Sequence, residues 1–202
     1  MRLELLMKIV LASKSPRRRE LLTELGEKMG FKFEIITEDV DESVESGISP
    51  KDAVRILAER KGAAVAAKEE CRDALVISSD TLVECDGIAL GKPTDKDDAH
   101  RMLRSLSGRG HFVHTGVCVS YHGKVVSGVA STEVVFRPIS KSEIDSYVES
   151  GEPMDKAGAY GIQGEAGKFV SEYRGDFDTV VGLSLALTER LISEAAGGER
   201  LD

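Results

Sequence analysis

The chain of 202 residues is the length of one domain, and its 41% hydrophobic and 31% charged residues allow both a substantial core and a solvated surface. No apolar run reaches the ~18 residues of a membrane span, and the apolar start is broken by Glu4 and Lys8 and lacks a secretory core. A net charge of −8 argues against general nucleic-acid binding, and three widely spaced cysteines (Cys71, Cys85 and Cys118) argue against a disulfide framework or a zinc site, so a soluble cytoplasmic protein is expected.

Along the chain, strand and helix patterns alternate. Lys8–Ser13 (KIVLAS) is a short apolar run typical of a buried strand. Ser15–Met29 follows as a helix with Leu21, Leu22 and Leu25 on one face, and Phe31–Ile36 reads as a strand. The acidic segment Glu38–Gly47 reads as loop, after which Ser49 and Pro50 supply the cap and first residue of a long helix reaching roughly Glu69. Ala74–Ser79 is predicted as a strand, and Asp86-Gly87 as a hairpin turn. A helix over Asp95–Leu106 precedes an antiparallel pair across His111–Ile139 that turns near His122-Gly123. A short helix over Ser140–Ser150, a glycine-rich loop over Gly158–Gly167 and a strand over Lys168–Glu172 come next. A helix over Leu183–Ala195 closes the pattern, with Gly197–Asp202 expected as a frayed tail. The sum is one α/β domain, residues 1–202, with a mixed sheet.

Three places break local rules, which is where functional sites tend to show. In SKSPRRRELL, Ser15 and Pro16 start a helix well, yet Arg17 and Arg18 occupy its first turn, where the positive end of the helix dipole disfavours cations by a few tenths of a kcal/mol each. An anion there would explain them: free backbone N–H groups, the hydroxyls of Ser13 and Ser15 and two guanidiniums form a phosphate cradle. The alternative is a solvated arginine cluster. Next, Lys61 falls within the apolar stripe Val54, Leu57, Ala58, Val65 of the second helix. It either snorkels to the surface or reaches a phosphate at the edge of the core.

The third break is ALVISSDTLV, an apolar strand ending in Ser78, Ser79, Asp80 and Thr81. A buried, unpaired carboxylate costs several kcal/mol, so Asp80 needs a cation, a metal or strong donors unless it merely forms a turn. Gly91-Lys92-Pro93 offers a lysine on a stiff turn, and the acidic loop offers Asp39, Asp41 and Glu42 as further oxygen ligands. His111 and His114, three apart in a strand, point to opposite faces, which argues against a shared metal. Phosphate-loop, dinucleotide-binding and serine-elbow patterns are absent from the sequence.

Taken together, LASKSPRRRELL, ISSDTLV with GKP, MLRSLSGRGHFVHTGV, DKAGAYGIQG and VVGLSL resemble, in order from about residue 8 to 190, the Maf family of nucleotide pyrophosphatases. The resemblance implies a mixed α/β fold with two lobes around a central cleft, related to inosine-triphosphate pyrophosphatases. It also implies a divalent cation, Mg²⁺ or Mn²⁺, and a family in which homodimers are common. By position, Asp80 matches the proton-accepting catalytic aspartate. Arg17, Thr81 and Gln163 match the positions that set base preference. Ser13, Arg18, Lys61 and Lys92 match phosphate-contacting positions, and Glu42 the second acidic one. The DKAGAYGIQG form looks like the branch acting on dTTP and UTP, and Ser79 stands where alanine is more usual.

The expected chemistry is hydrolysis of a nucleoside triphosphate to a monophosphate and pyrophosphate. Arg17, Arg18, Lys61 and Lys92 would neutralise the phosphates, Asp80 and Glu42 would hold the metal, and Asp80 would activate water at the α-phosphorus. The side-chain amide of Gln163 suits the O4/N3–H edge of thymine or uracil. The rival readings are the same chemistry on 7-methyl-GTP or another modified purine, and a nucleotide-binding regulator without catalysis.

Overall fold

A computed structural model describes residues 7–197 of the chain, so most of the expected frayed tail, residues 198–202, lies outside the described residues. The elements, in order, are strand β1 (Ile9–Leu11), helix α1 (Pro16–Met29), β2 (Glu34–Ile35), α2 (Pro50–Ala66), β3 (Leu75–Cys85), β4 (Ile88–Leu90) and α3 (Lys96–Leu106). They continue with β5 (Gly110–Tyr121), β6 (Lys124–Phe136), α4 (Lys141–Glu149), β7 (Val170–Arg174), α5 (Phe177–Val181) and α6 (Leu185–Ala195). The mixed sheet runs β2-β1-β3-β5-β6-β7, with β4 paired to β3. β1 lies parallel to both neighbours, and the other pairs are antiparallel.

Local chemistry accounts for most boundaries. Ser15 caps α1 by accepting from Arg18 N, Pro16 opens the helix, and Gly30 in the left-handed region closes it. Ser49 and Pro50 do the same for α2, and the Ser140 and Glu143 side chains form a reciprocal cap on α4. Both predicted hairpin turns are present, with positive φ at Asp86-Gly87 and at His122-Gly123.

The sheet differs from expectation at β3. The predicted strand stops at Ser79, whereas β3 continues unbroken to Cys85 because β5 pairs with it from Val76↔Ser120 to Glu84↔Phe112. The polar residues stay in the strand because each finds a partner: Ser78 donates to Ala58 O, and Ser79 to Gly182 O. Other differences are smaller. α2 ends at Ala66, three residues short of Glu69, and a separate turn follows. β2 keeps only two of six predicted residues, and α5 was not anticipated.

Three apolar clusters divide the molecule into two lobes. In one lobe, Leu22 and Leu25 of α1 and Leu191 of α6 pack on Ile77 and Val117, while Val65 of α2 covers Val10 and Val76 on the opposite face. In the other, Leu103 of α3, Tyr147 of α4 and Phe169 pack on Val83, Val113 and Phe136. β3, β5 and β6 run through both. At the junction, β1 leaves β3 after Leu11↔Ile77, and β4 joins it only at Val83↔Leu90. Residues 78–82 therefore have a strand partner on the β5 side alone, and a cleft opens along their free edge.

Candidate active site

Alternation along β3 sends Asp80 to the α2 side and Thr81 to the α1 side of this free edge. Asp80 is 8% exposed. Its carboxylate lies 2.6 Å from the Lys61 ammonium, which supplies the counter-charge that burial requires. Lys61 thus turns into the cleft instead of snorkelling outward. Its Nζ also lies 2.7 Å from Glu42 of the acidic loop, so two carboxylates converge on one cation. The bond from Lys61 holds the Glu42 carboxyl below the usual carboxylate range against the opposing effect of partial burial, with Lys92 and Arg18 adding to the shift. Glu42 is 61% exposed, so water screens this second arm.

On the other face, Arg18 reaches from the first turn of α1 to three chain segments. Its Nε donates to Gly182 O at 2.8 Å, one Nη donates to Thr81 Oγ1 at 3.1 Å, and the other lies 3.4 Å from Ser13 Oγ. Burial pulls the Arg18 guanidinium below the ordinary arginine range, while Asp80 pushes it back up. The guanidinium keeps its charge, as arginine does in proteins generally. Arg17, Lys92 and Gln163 have no hydrogen-bond partner among the described residues.

All of these groups face one cavity of about 1160 Å³. Ser13, Arg17, Arg18, Glu42, Lys61, Asp80, Thr81, Lys92 and Gln163, from distant parts of the sequence, line its wall. Asp39 lines it too, ion-paired to Lys14, whereas Asp41 turns away to bond Ser43 N and Oγ. His111 and His114 lie apart from it, on opposite faces of β5: the first meets Tyr160, and the second lies between Ser131 and Glu84.

Sequence reasoning missed several supporting residues. Thr115 links Thr81 to the backbone of α5, and the Gly182 carbonyl accepts from both Arg18 and Ser79. Glu152 sits beneath the loop that carries Gln163: it accepts from Tyr147 Oη and Glu165 N, and a Cβ on Gly164 would fall 2.0 Å from its Oε1. The motifs HTGV, VVGLSL and GIQG flagged these neighbourhoods without indicating the contacts.

Cations gathered around an acid pair, beside the positive end of helix α1, make a cleft suited to a small polyanion on a mixed α/β scaffold. Residues 8–195 match the family model described as Maf-like protein, and the chain belongs to the Maf family. It is 46% identical over 187 residues to a dTTP/UTP pyrophosphatase of Bacillus velezensis, a match covering 93% of this chain and 96% of the relative. Proteins of the same name from Shewanella oneidensis and Anaeromyxobacter dehalogenans are 46% and 49% identical, covering 94% and 93% of this chain and 98% and 94% of the relatives. Among solved structures, a HAM1 protein from Coxiella burnetii gives a TM-score of 0.44 at 18% identity, over 94% of this chain and all of that one.

Proposed function

We propose that the protein is a nucleoside triphosphate pyrophosphatase that hydrolyses dTTP and UTP to the nucleoside monophosphate and pyrophosphate. The observation that carries this reading is the meeting of Asp80, Lys61 and Glu42 in one cavity with Arg17, Arg18 and Lys92. The names of the relatives support it. A triphosphate carries about four negative charges, and its cleavage moves charge onto the leaving pyrophosphate. Arg17 and Lys92, uncommitted within the protein, bind the phosphates, and Arg18 and Ser13 complete the cradle. Asp80 orients the attacking water and accepts its proton. Gln163, exposed on the cavity wall, reads the base with its side-chain amide.

A divalent cation fits this donor set. Among the described residues no group of three or more His, Cys, Asp or Glu forms an all-protein cage. Asp80 and Glu42 instead converge on a single cationic point, the arrangement used by magnesium-type sites that complete their shell with waters and substrate phosphate oxygens. Bound there, Mg²⁺ or Mn²⁺ would supply charge neutralisation and a lowered pKa for coordinated water. The three cysteines are free and buried, which suits a reducing cytoplasm.

The test is a nucleotide panel scored for pyrophosphate against orthophosphate, with and without chelator. dTTP and UTP are expected to lead, pyrophosphate to be the product, and chelator to stop turnover. Preference for a purine, or release of orthophosphate, contradicts the assignment. Asp80→Asn is expected to keep the fold and lower kcat by about 10²- to 10⁴-fold, the usual contribution of a general base; wild-type turnover in that variant removes Asp80 from the mechanism.

A further inference from the structure

The hydrogen bonds behind Thr81 have a fixed direction. Thr115 Oγ1 lies 2.7 Å from the carbonyl oxygen of Thr179, which can only accept, so the single hydroxyl proton of Thr115 goes there. The 2.9 Å contact between the Thr115 and Thr81 hydroxyls must then be donated by Thr81. Thr81 Oγ1 accepts in turn from Arg18 at 3.1 Å. Thr115 is fully buried, so no water competes for its bonds. The proton of Thr81 therefore points into the protein. Thr81 lines the cavity, and the one hydrogen-bonding capacity its oxygen has left for a ligand there is a lone pair.

We infer that Thr115 is a positioning residue for base selection: it holds Thr81 as a pure acceptor, which admits a base bearing an imide N–H and refuses one that offers a lone pair there. This rests on the triphosphate reading above. An ionised phosphate oxygen is an acceptor and finds no partner at Thr81, so the phosphates lie with Arg17, Arg18 and Lys92. Uracil and thymine carry a proton on N3 and satisfy the lone pair. Cytosine carries a lone pair at N3 and is repelled. The other donor on a nucleotide is a sugar hydroxyl, which uridine and cytidine share, so comparing those two isolates the base.

The experiment measures kcat/KM for UTP and CTP by pyrophosphate release in the full chain, for wild type, Thr115→Val and Thr115→Ser. Wild type is expected to favour UTP by about tenfold or more, the worth of one well-placed hydrogen bond set against an unpaired acceptor. Valine keeps the shape of Thr115 but takes away the acceptor for Thr81's proton, which can then turn outward. The UTP/CTP ratio is expected to fall toward unity, and serine to restore it. A ratio unchanged in Thr115→Val, with both substrates slowed alike, overturns the proposal and leaves Thr115 as scaffold or Thr81 as a sugar contact. Thermal melts check that the variants fold. Should valine not fold, Thr115→Ala, which also lacks the acceptor for Thr81's proton, replaces it on the same two substrates: a UTP/CTP ratio that falls toward unity supports the proposal, and an unchanged ratio overturns it. A chain that releases no pyrophosphate from any triphosphate overturns the enzyme reading itself and this inference with it. An active wild type with an unmoved ratio overturns the inference alone.

Discussion

Lys61 and His111 show two ways of placing a titratable group inside this molecule. Lys61 comes to the cleft edge and finds two carboxylates, Asp80 and Glu42. His111 is 2% exposed and meets Tyr160 Oη and the edges of the Phe136 and Tyr160 rings, with no carboxylate among the groups that act on it. Burial lowers its pKa from 6.5 to about 4. The folded ring thus refuses a proton that the unfolded chain accepts below pH 6.5, so stability is full above that pH and declines as the pH falls toward about 4. The loss is up to ~3 kcal/mol. Urea unfolding across this range is expected to show that slope in wild type and a flatter profile in His111→Gln; equal slopes in the two proteins assign the acid sensitivity elsewhere.

α2 sits so close to the sheet that a side chain at Gly116 of β5 would place Cβ 2.3 Å from Val54 O. Gly62 on the helix repeats this intimacy, with Ser78 Oγ 2.6 Å from its would-be Cβ. Gly116→Ala must push the helix outward, at a cost of about 1–3 kcal/mol as an overpacked core contact. Because α2 carries Lys61, the same shift is expected to lower kcat as well as the unfolding midpoint. A fall in stability with unchanged turnover would show that the helix relaxes without moving Lys61. The sequence was most readable at this scale where caps and periodicity coincide, as in α1, α2 and α3. It was least readable where tertiary pairing decides: β3 passes through Ser78-Ser79-Asp80-Thr81 because β5 and Gly182 satisfy those polar groups, and no neighbour within the sequence could supply that information. α5, five residues long, is too short to leave a helical period.

Across the whole molecule, the candidates matched to the family's site positions line the same cavity, because a charge in an apolar stripe or a cation at a helix start advertises itself; Asp41, offered only by the acidity of its loop, does not line it. Thr115, Gly182 and Glu152 escaped notice because a threonine in a strand, a glycine before a helix and a glutamate in a loop are locally ordinary. Only their contacts set them apart.

The two lobes share β3, β5 and β6 as continuous strands, with ladder bonds running without interruption from Val76↔Ser120 to Glu84↔Phe112 and from Gly110↔Val135 to Tyr121↔Lys124. Swinging one lobe against the other would shear those ladders, so the jaws of the cleft are set on a rigid bar and their spacing is fixed. Scattering curves of the Asp80→Asn protein with and without dTTP are expected to superimpose, and a clear contraction on binding would show that the bar bends. Such a device works as a gauge: a nucleotide is measured against a gap of constant width, while the acidic loop around Glu42 and the glycine-rich loop around Gln163 are the walls not tied into the ladder.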